Sequence, residues 1–505
     1  MNQLKVGAAL SYISAILHIV VGLAYTPYML RMLGQSEFGL YSLAASVVAY
    51  LTVLDLGFGN AIVRYTAKFR AEGKQREQEE MFGMFLILYI GIGIIALAAG
   101  TALSLNVENL FNRHMTAVEV ERTRIMMWLL TFNLAFTFPM SLWGSIMTAY
   151  ERFVFQRTIA VLRTIANPLV MVVLLAVGYK AVAMVVVTTL FNVATLLINF
   201  WYCKRKLHIR LHFGRFKWGF LKEVSVYSFW IFLNVIMDRI YWSTGQFVLG
   251  MVRGTVAVAV YALAVQLHGM FQMFSTAISG VFLPRITSLV TKGQNEKTIS
   301  DIFIKTGRIQ YVVMAFILSA FIVFGQEFII IWAGKDYAEA YPICLLFFIP
   351  LTVPLIQNLG IVILQARNQM RFRSTVYIII ALASFVLSFP LAIYWGGIGC
   401  AAATAAALVA GQIIVMNIYY YRKQFIDIPC FWREIGKMTI VPALTVVVSM
   451  CAIRYFDLSI TSYHTLILYG LLYAALYIPA FWKLSMNTSE RELFIKPVRK
   501  LLHRR

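Results

Sequence analysis

Ionisable side chains inside long apolar segments are the residues of this chain that could do chemistry. Six of them stand out in the sequence: His18, Asp55, Arg163, Asp238, Arg239 and His268. A charged group in membrane hydrocarbon is costly unless it is paired or hydrated, so each is by default a candidate for binding or ion transfer. The sequence has no Walker loop, HExxH motif or nucleophile elbow, so we expect a transport function and no enzyme.

Two of the arginines, Arg163 and Arg239, are candidates for holding phosphate, because a guanidinium binds phosphate oxygens through two parallel hydrogen bonds. An ion pair between Arg163 and Asp238 that only locks helices together is the alternative. Arg64 and Arg285 occupy matching positions of an internal repeat, at the inner ends of two apolar segments. They either meet an anionic substrate at a cytoplasmic mouth or extend to the lipid headgroups.

The acids and histidines are candidates for coupling transport to a cation. Asp55, Asp238, His18 and His268 could each take up H+ or Na+ during a transport cycle. Polar contacts that hold neighbouring helices together are the alternative for these residues. Beyond such a coupling ion we expect no cofactor, and the five scattered cysteines predict neither a metal site nor a disulfide framework.

The composition places these residues in a membrane protein. The chain is 60% hydrophobic and 13% charged, against roughly 25% charged residues in soluble domains. Its mean hydropathy is +0.76, and its apolar runs do not alternate as the strands of a membrane barrel do. Because only helices and closed barrels satisfy their backbone hydrogen bonds in lipid, the predicted fold class is an all-α polytopic membrane protein.

Fourteen apolar segments are long enough to span a bilayer, which takes about 20 residues. They lie near 7–30, 38–63, 81–104, 125–149, 157–177, 181–202, 224–250, 255–283, 309–333, 341–366, 374–395, 397–421, 437–455 and 462–482. Only Gly178-Tyr179-Lys180 separates the fifth from the sixth, and only Trp395-Gly396 parts the eleventh from the twelfth. Both pairs therefore predict tight helical hairpins.

The sequence contains the same unit twice. LGQSEFGLYSLA around Tyr41 recurs as VRGTVAVAVYALA around Tyr261, and the segment that begins at Asn199 is similar to the one that begins at Asn417. Each copy holds six spans, an even number, so both copies enter the membrane in the same direction. They are therefore predicted to be parallel repeats, related by a pseudo-twofold axis along the membrane normal.

Basic loops set the predicted orientation. With the N-terminus inside, most lysines and arginines fall in loops on that side, and both termini are cytoplasmic. The net charge of +22 is then mostly a topology signal and a contact with anionic membrane lipids, not a nucleic-acid site. The predicted parts are an N-terminal six-helix lobe (1–203), a basic cytoplasmic linker (204–223), a C-terminal six-helix lobe (224–423), two extra transmembrane helices (424–482) and a basic cytoplasmic tail (483–505).

Several of these segments resemble one family. They are LGQSEFGLYSLAASVVAYLTVLDLGFGNAIVRYTAK in the first two spans, the pair Asp238-Arg239, the run Gly334–Tyr341 and the run Gly396–Ala402. Over nearly its whole length the chain resembles the O-antigen flippases (Wzx-type), a branch of the multidrug/oligosaccharidyl-lipid/polysaccharide flippase superfamily.

The resemblance implies two six-helix lobes around a cavity, two extra helices, and translocation of undecaprenyl-diphosphate-linked sugars to the periplasmic leaflet of a bacterial inner membrane. Its partners would be the lipid-linked oligosaccharide, membrane lipids, a polysaccharide polymerase and a chain-length regulator. Two alternatives stay open: a cation-coupled multidrug antiporter of the same superfamily, and a lipid II flippase. A membrane glycosyltransferase or polymerase is disfavoured, because the longest predicted outside loop, Leu105–Arg124, is short.

Overall fold

A computed structural model describes residues 3–55, 57–111, 115–214, 218–279, 295–367, 369–488, 490–492 and 495, and in these ranges the chain is helical with no strand. The α-helices are α1 (Gln3–Leu51), α2 (Phe58–Ala71), α3 (Gln75–Leu105), α4 (Val107–Phe111), α5 (Ala117–Ala149), α6 (Phe153–Ala176), α7 (Ala181–Arg205), α8 (Trp218–Val252), α9 (Thr255–Ser279), α10 (Glu296–Trp332), α11 (Ala340–Ile356), α12 (Leu359–Ala366), α13 (Met370–Ala407), α14 (Met416–Gln424), α15 (Ile428–Tyr455) and α16 (Tyr463–Leu484). A 3-10 turn at Thr52–Asp55 leads from α1 towards α2, and a π-helical stretch at Leu408–Val415 joins α13 to α14.

The predicted all-helical membrane class is confirmed. Among the described residues, ten helical segments are long and apolar enough to cross a membrane, and the pair α11–α12, bent by 45°, makes an eleventh. The count falls below fourteen for a local reason. The first predicted span and most of the second are counted together as α1, and the eleventh and the start of the twelfth as α13, although non-helical glycines, Gly34 and Gly396, separate them. The seventh predicted span lies within α8, which is not one of the ten segments counted.

Glycines with positive φ mark equivalent connections in the two halves of the chain. Gly34 and Gly254, with φ of 77° and 84°, occupy the same place in the repeated segment. Only a residue without a Cβ adopts this conformation readily, and it turns the chain from one span to the next without a loop. Gly178 and Gly396, with φ of 99° and 57°, lie at the two predicted hairpins. A glycine with positive φ therefore lies at each of these four connections between predicted spans.

Contacts within the chain divide it into two compact units. Unit 1 comprises Met1–Ala262 and Tyr377–Ala403, and unit 2 comprises Leu263–Val376 and Thr404–Arg505. Each has an aromatic core: Phe82, Tyr89 and Trp143 are buried in unit 1, and Phe303, Phe347 and Phe431 are fully buried in unit 2. The lobes drawn from the sequence repeat, 1–203 and 224–423, stay a prediction.

Helices α3 and α5 of unit 1 approach each other closely. A Cβ on Gly93 would lie 2.8 Å from the carbonyl oxygen of Ala135, and a Cβ on Gly100 would lie 2.2 Å from Cγ2 of Thr131. Real Cβ atoms do not come so close, so only glycine allows this helix spacing. The middle of α5 is thereby held firmly against α3.

Candidate functional site

A polar cluster lies where α5, α6 and α7 meet in unit 1. The guanidinium of Arg163 donates from Nη1 to Oδ1 of Asn192 over 3.2 Å. The amide nitrogen of Asn192 in turn donates to Oδ1 of Asn133 and to the hydroxyl oxygen of Thr137, each over 2.8 Å. The Thr137 hydroxyl donates back to the carbonyl oxygen of Asn133 over 2.7 Å. One arginine is thus held in place by a chain of uncharged polar groups.

All four side chains lie near the middle of their helices. Arg163 is in the central turns of α6, Asn192 in those of α7, and Asn133 and Thr137 in those of α5. Each of these helices is long and apolar enough to span a membrane. Uncharged polar groups in such an environment hydrogen-bond between helices because hydrocarbon offers no other partner. The cluster therefore combines helix packing with a fixed orientation for the arginine.

No described residue neutralises the charge of Arg163. A guanidinium carries five N–H donors. Among the residues that the structure describes, only the Asn192 amide accepts a hydrogen bond from it, and no carboxylate lies within 4.0 Å. The side chain is half-buried. Arg163 consequently has donors and a positive charge available for an anion, and the structure shows no ion pair of Arg163 with Asp238.

Asp55 and Arg64 lie on either side of the start of α2. Asp55 ends the 3-10 turn after α1, is half-buried, and has the hydroxyl of Tyr89 on α3 as a polar neighbour. Gly57, with a left-handed φ of 70°, then starts α2. Arg64 is exposed on that helix, with its guanidinium 5.8 Å from the ring centre of Tyr65. Asp55 therefore lies half-buried at the break between α1 and α2, while Arg64 is exposed on the surface of unit 1.

The other predicted site residues occupy separate places. Asp238 and Arg239 are exposed on α8, and His18 is exposed on α1. His268 is buried on α9 in unit 2, where its ring meets the Phe347 ring edge-on at 6.2 Å. Arg285 lies outside the described residues. His268 is thus in an aromatic core, which fits the packing alternative for that residue.

Sequence reasoning missed Asn133, Thr137 and Asn192 because it searched the spans for charged residues. A signal was available. Arg163 and Asn192 lie almost equally far along the chain from the Gly178-Tyr179-Lys180 connection, on opposite sides of it. In a tight helical hairpin, residues equally far from the turn reach the same depth. The hairpin prediction could therefore have paired them.

A second polar cluster, also missed, joins helix ends of unit 1. Glu37 of α1 is 5% exposed, pairs with Arg122 of α5, and accepts a hydrogen bond of 3.3 Å from the backbone N–H that begins α7. Glu119 of α5 accepts hydrogen bonds from the hydroxyls of Ser36 and Thr255. Both carboxylates have several partners, so this cluster holds α1, α5, α7 and α9 together at one end.

Comparison with known proteins shows which family, relatives and solved structures this chain is similar to. A family model described as "Polysaccharide biosynthesis protein" matches residues 5–290. EpsK of Bacillus subtilis (strain 168), an uncharacterized membrane protein, is 20% identical over 494 residues, which are 96% of each chain.

Solved structures share the fold. An inward closed conformation of the lipid II flippase MurJ has a TM-score of 0.71 and 15% identity, covering 94% of this chain and 98% of that one. An inward-facing multidrug resistance MATE transporter of the MOP superfamily has a TM-score of 0.59 and 14% identity, covering 84% of this chain and 99% of that one. The MurJ match leaves too few residues unmatched to omit both α15 and α16. This fold therefore extends to at least one of the two C-terminal helices.

Proposed function

Since the chain belongs to the family of polysaccharide biosynthesis proteins, we propose that it is a flippase for undecaprenyl-diphosphate-linked oligosaccharide. The substrate would be an O-antigen or similar repeat unit of a surface polysaccharide, moved across the bacterial cytoplasmic membrane by alternating access. The single observation that carries this proposal is Arg163, a guanidinium midway along a helix that is long and apolar enough to span a membrane, whose only described partner is a neutral amide. Its charge and free donors suit a diphosphate, the one part of this substrate that is strongly anionic.

The members of the Arg163 cluster would have different roles in binding the substrate. Arg163 would bind diphosphate oxygens, while Asn192 fixes the direction of the guanidinium and so avoids an ordering cost on binding. The protein only has to lower the cost of moving sugar and phosphate through hydrocarbon, since the polyprenyl tail stays in lipid and no covalent bond changes. Arg239, Arg64 and Arg285 would be further cations along the pathway.

The proposed orientation has both termini in the cytoplasm, following the basic loops. Coupling to H+ or Na+ would use Asp55, Asp238, His18 or His268. Of these, Asp55 is best placed in the described structure, since it is half-buried at a helix break beside a buried tyrosine. A polysaccharide polymerase and a chain-length regulator would act on the product.

The test is genetic complementation. A strain that lacks the gene should lose its surface glycan and accumulate lipid-linked intermediates, and the wild-type gene should restore export. Arg163→Ala should fail to restore it although the protein inserts at normal levels, because the anion loses its main partner. Arg157→Ala is the matched control, since Arg157 is an exposed arginine on the same helix. Full export by Arg163→Ala would remove the arginine from the pathway and contradict the proposal.

The MurJ-like fold favours one second candidate, a lipid II flippase. The same deletion strain separates the two functions. Loss of peptidoglycan precursor export with intact surface glycan would indicate lipid II. A gain in drug sensitivity with both glycans intact would indicate a multidrug antiporter.

A further inference from the structure

A polar cavity lies in unit 1, away from the Arg163 cluster. It has a volume of about 340 Å³, opens to the surface, and is lined by residues at the turn between α2 and α3, at the end of α5 and in the segment that follows α7. Small-molecule pockets span about 300–1,000 Å³, so this cavity is of the size for one small ligand. No residue of α6 lines it, and the proposed transport mechanism does not use it.

The walls of this cavity are built by specific contacts. The guanidinium of Arg70 lies over the Tyr150 ring, 4.0 Å from its centre, and donates to the carbonyl oxygen of Ala149 at the end of α5. Gln78 of α3 donates to the Tyr150 hydroxyl over 2.9 Å. These bonds orient Arg70 and Tyr150 before any ligand arrives, which lowers the cost of binding.

The segment after α7 forms the opposite wall and is docked on α3. The backbone N–H of His212 donates to the carbonyl oxygen of Glu79 over 3.1 Å. A Cβ on Gly83 would lie 2.3 Å from the carbonyl oxygen of His212, so only glycine lets the segment come this close. His208, with φ of 50°, turns the chain at the cavity rim. The wall is therefore a defined structure and not a loose loop.

Two arginines and one histidine surround the cavity. Arg70, His208 and Arg210 line it, and all three are exposed to it or to solvent. Within the described part of the chain, neither His208 nor Arg210 has a hydrogen-bond or ion-pair partner. The one acid that lines the cavity, Glu79, accepts a hydrogen bond of 3.3 Å from Gln75. Cations with unused donors, amides and an aromatic ring are the groups that bind a phosphorylated polyol.

We propose that this cavity binds a phosphate ester of a small polyol, with the phosphate between Arg70 and Arg210 and the hydroxyls against Gln78 and Tyr150. Two sources have this chemistry: a soluble sugar phosphate and the headgroup of a glycerol-based anionic lipid. Because Arg70 is on α2 and Arg210 is on the segment after α7, the ligand ties that segment to the helices beneath it. The inference relies on the proposed orientation only for which side of the membrane supplies the ligand.

Binding by the purified full-length protein tests this inference without any transport assay, so it can fail while the flippase proposal stands, and the reverse. In detergent, titration with glucose 1-phosphate should saturate, and inorganic phosphate should compete. Arg210→Gln should weaken binding at least about ten-fold, as expected for loss of charge-assisted hydrogen bonds. Arg205→Gln is the matched control, because Arg205 is an exposed arginine at the end of α7 that does not line the cavity. His208→Asn, which tolerates the left-handed backbone, should weaken binding less.

The lipid source is tested in nanodiscs with and without phosphatidylglycerol. Bound ligand should slow hydrogen exchange in segment 207–214. Slowing by phosphatidylglycerol but not by glucose 1-phosphate would assign the site to a lipid headgroup, and the opposite result to a soluble metabolite. Absence of saturable binding and of protection by either ligand would overturn the inference. So would an equal loss of affinity in Arg205→Gln, since binding would then follow net charge alone.

Discussion

Arg163 in unit 1 and Arg308 in unit 2 are both arginines in apolar helices, yet their surroundings are opposite. Arg308 of α10 donates from Nε and Nη2 to the two oxygens of Glu490, over 2.6 and 3.0 Å, and from Nη1 to Glu434 over 2.6 Å. It also donates to the carbonyl oxygen of Ser485. Arg163 has one amide partner. Arg308 is neutralised and fixed, whereas Arg163 is fixed and still charged.

The difference separates an arginine that stabilises from an arginine that can bind. Two carboxylates occupy the donors of Arg308, and they tie α10 to α15 and to the residues after α16. No anion could approach Arg308 without displacing one of them. The described partner of Arg163 is neutral and leaves its charge to act on a ligand. The two also differ in burial, since Arg308 is 6% exposed and Arg163 is half-buried.

The largest effect is expected on stability, from Arg308→Ala. This change leaves the carboxylate of Glu490, which is 1% exposed, without its ion-pair partner, although the backbone N–H of Asn487 still donates to it. Breaking such a buried pair costs about 3–5 kcal/mol. We expect a large fall in thermal stability in detergent and poor accumulation in membranes. Arg433→Ala, at an exposed position of α15, is the control and should change little. Normal stability of Arg308→Ala would mean that the network is dispensable.

The next largest effect is expected on transport, from making Arg163 resemble Arg308. Asn192→Asp places a carboxylate where the amide oxygen accepts from Arg163. The new ion pair would compete with the substrate, and we expect export to fall about 100-fold while the protein stays folded. Asn192→Ala removes the amide without adding a charge, so export should fall less than in Asn192→Asp. If Asn192→Asp and Asn192→Ala support the same level of export, neutralisation of Arg163 is not what limits substrate binding.

A smaller effect is expected when the charge of Arg163 is kept but its shape is changed. Arg163→Lys retains a cation and loses the planar guanidinium, which can donate hydrogen bonds to two oxygens at once. We expect export about ten-fold below the wild type, above Arg163→Ala. Surface glycan and membrane levels of the protein should be measured together. Lysine performing as poorly as alanine would show that geometry, and not charge, is the requirement.

Most of the fold could be predicted from the sequence, because each helix depends on its own residues. Hydropathy placed the spans, and Gly178 and Gly396 marked the two hairpins where positive φ angles are found. The direct succession of two spans at Gly34 and at Gly396, through one non-helical residue each, could not be predicted, since the hydropathy pattern does not show the backbone angles of a single glycine.

The candidate site could be predicted only in part. Arg163 was found because a charge in an apolar span is conspicuous by itself. Its partner Asn192 depends on how α6 and α7 pack, which needs the hairpin register as well. The ties of Arg308 to Glu434 and Glu490 join residues far apart in the chain, and only the folded structure brings them together.

The smallest effect is expected at the outer edge of the Arg163 cluster, from Thr137→Val. The change keeps the shape of the side chain and removes the hydroxyl that accepts from Asn192. Asn192 keeps its hydrogen bond to Asn133, so Arg163 loses only part of its indirect support. One neutral hydrogen bond contributes about 0.5–1.5 kcal/mol, and since the loss acts through two intermediates, we expect the lower end, about a two-fold fall in export. A fall as large as that of Arg163→Lys would mean that Thr137 contacts the substrate itself, and the contrast between a fixed and a binding arginine would then extend to the residues around it.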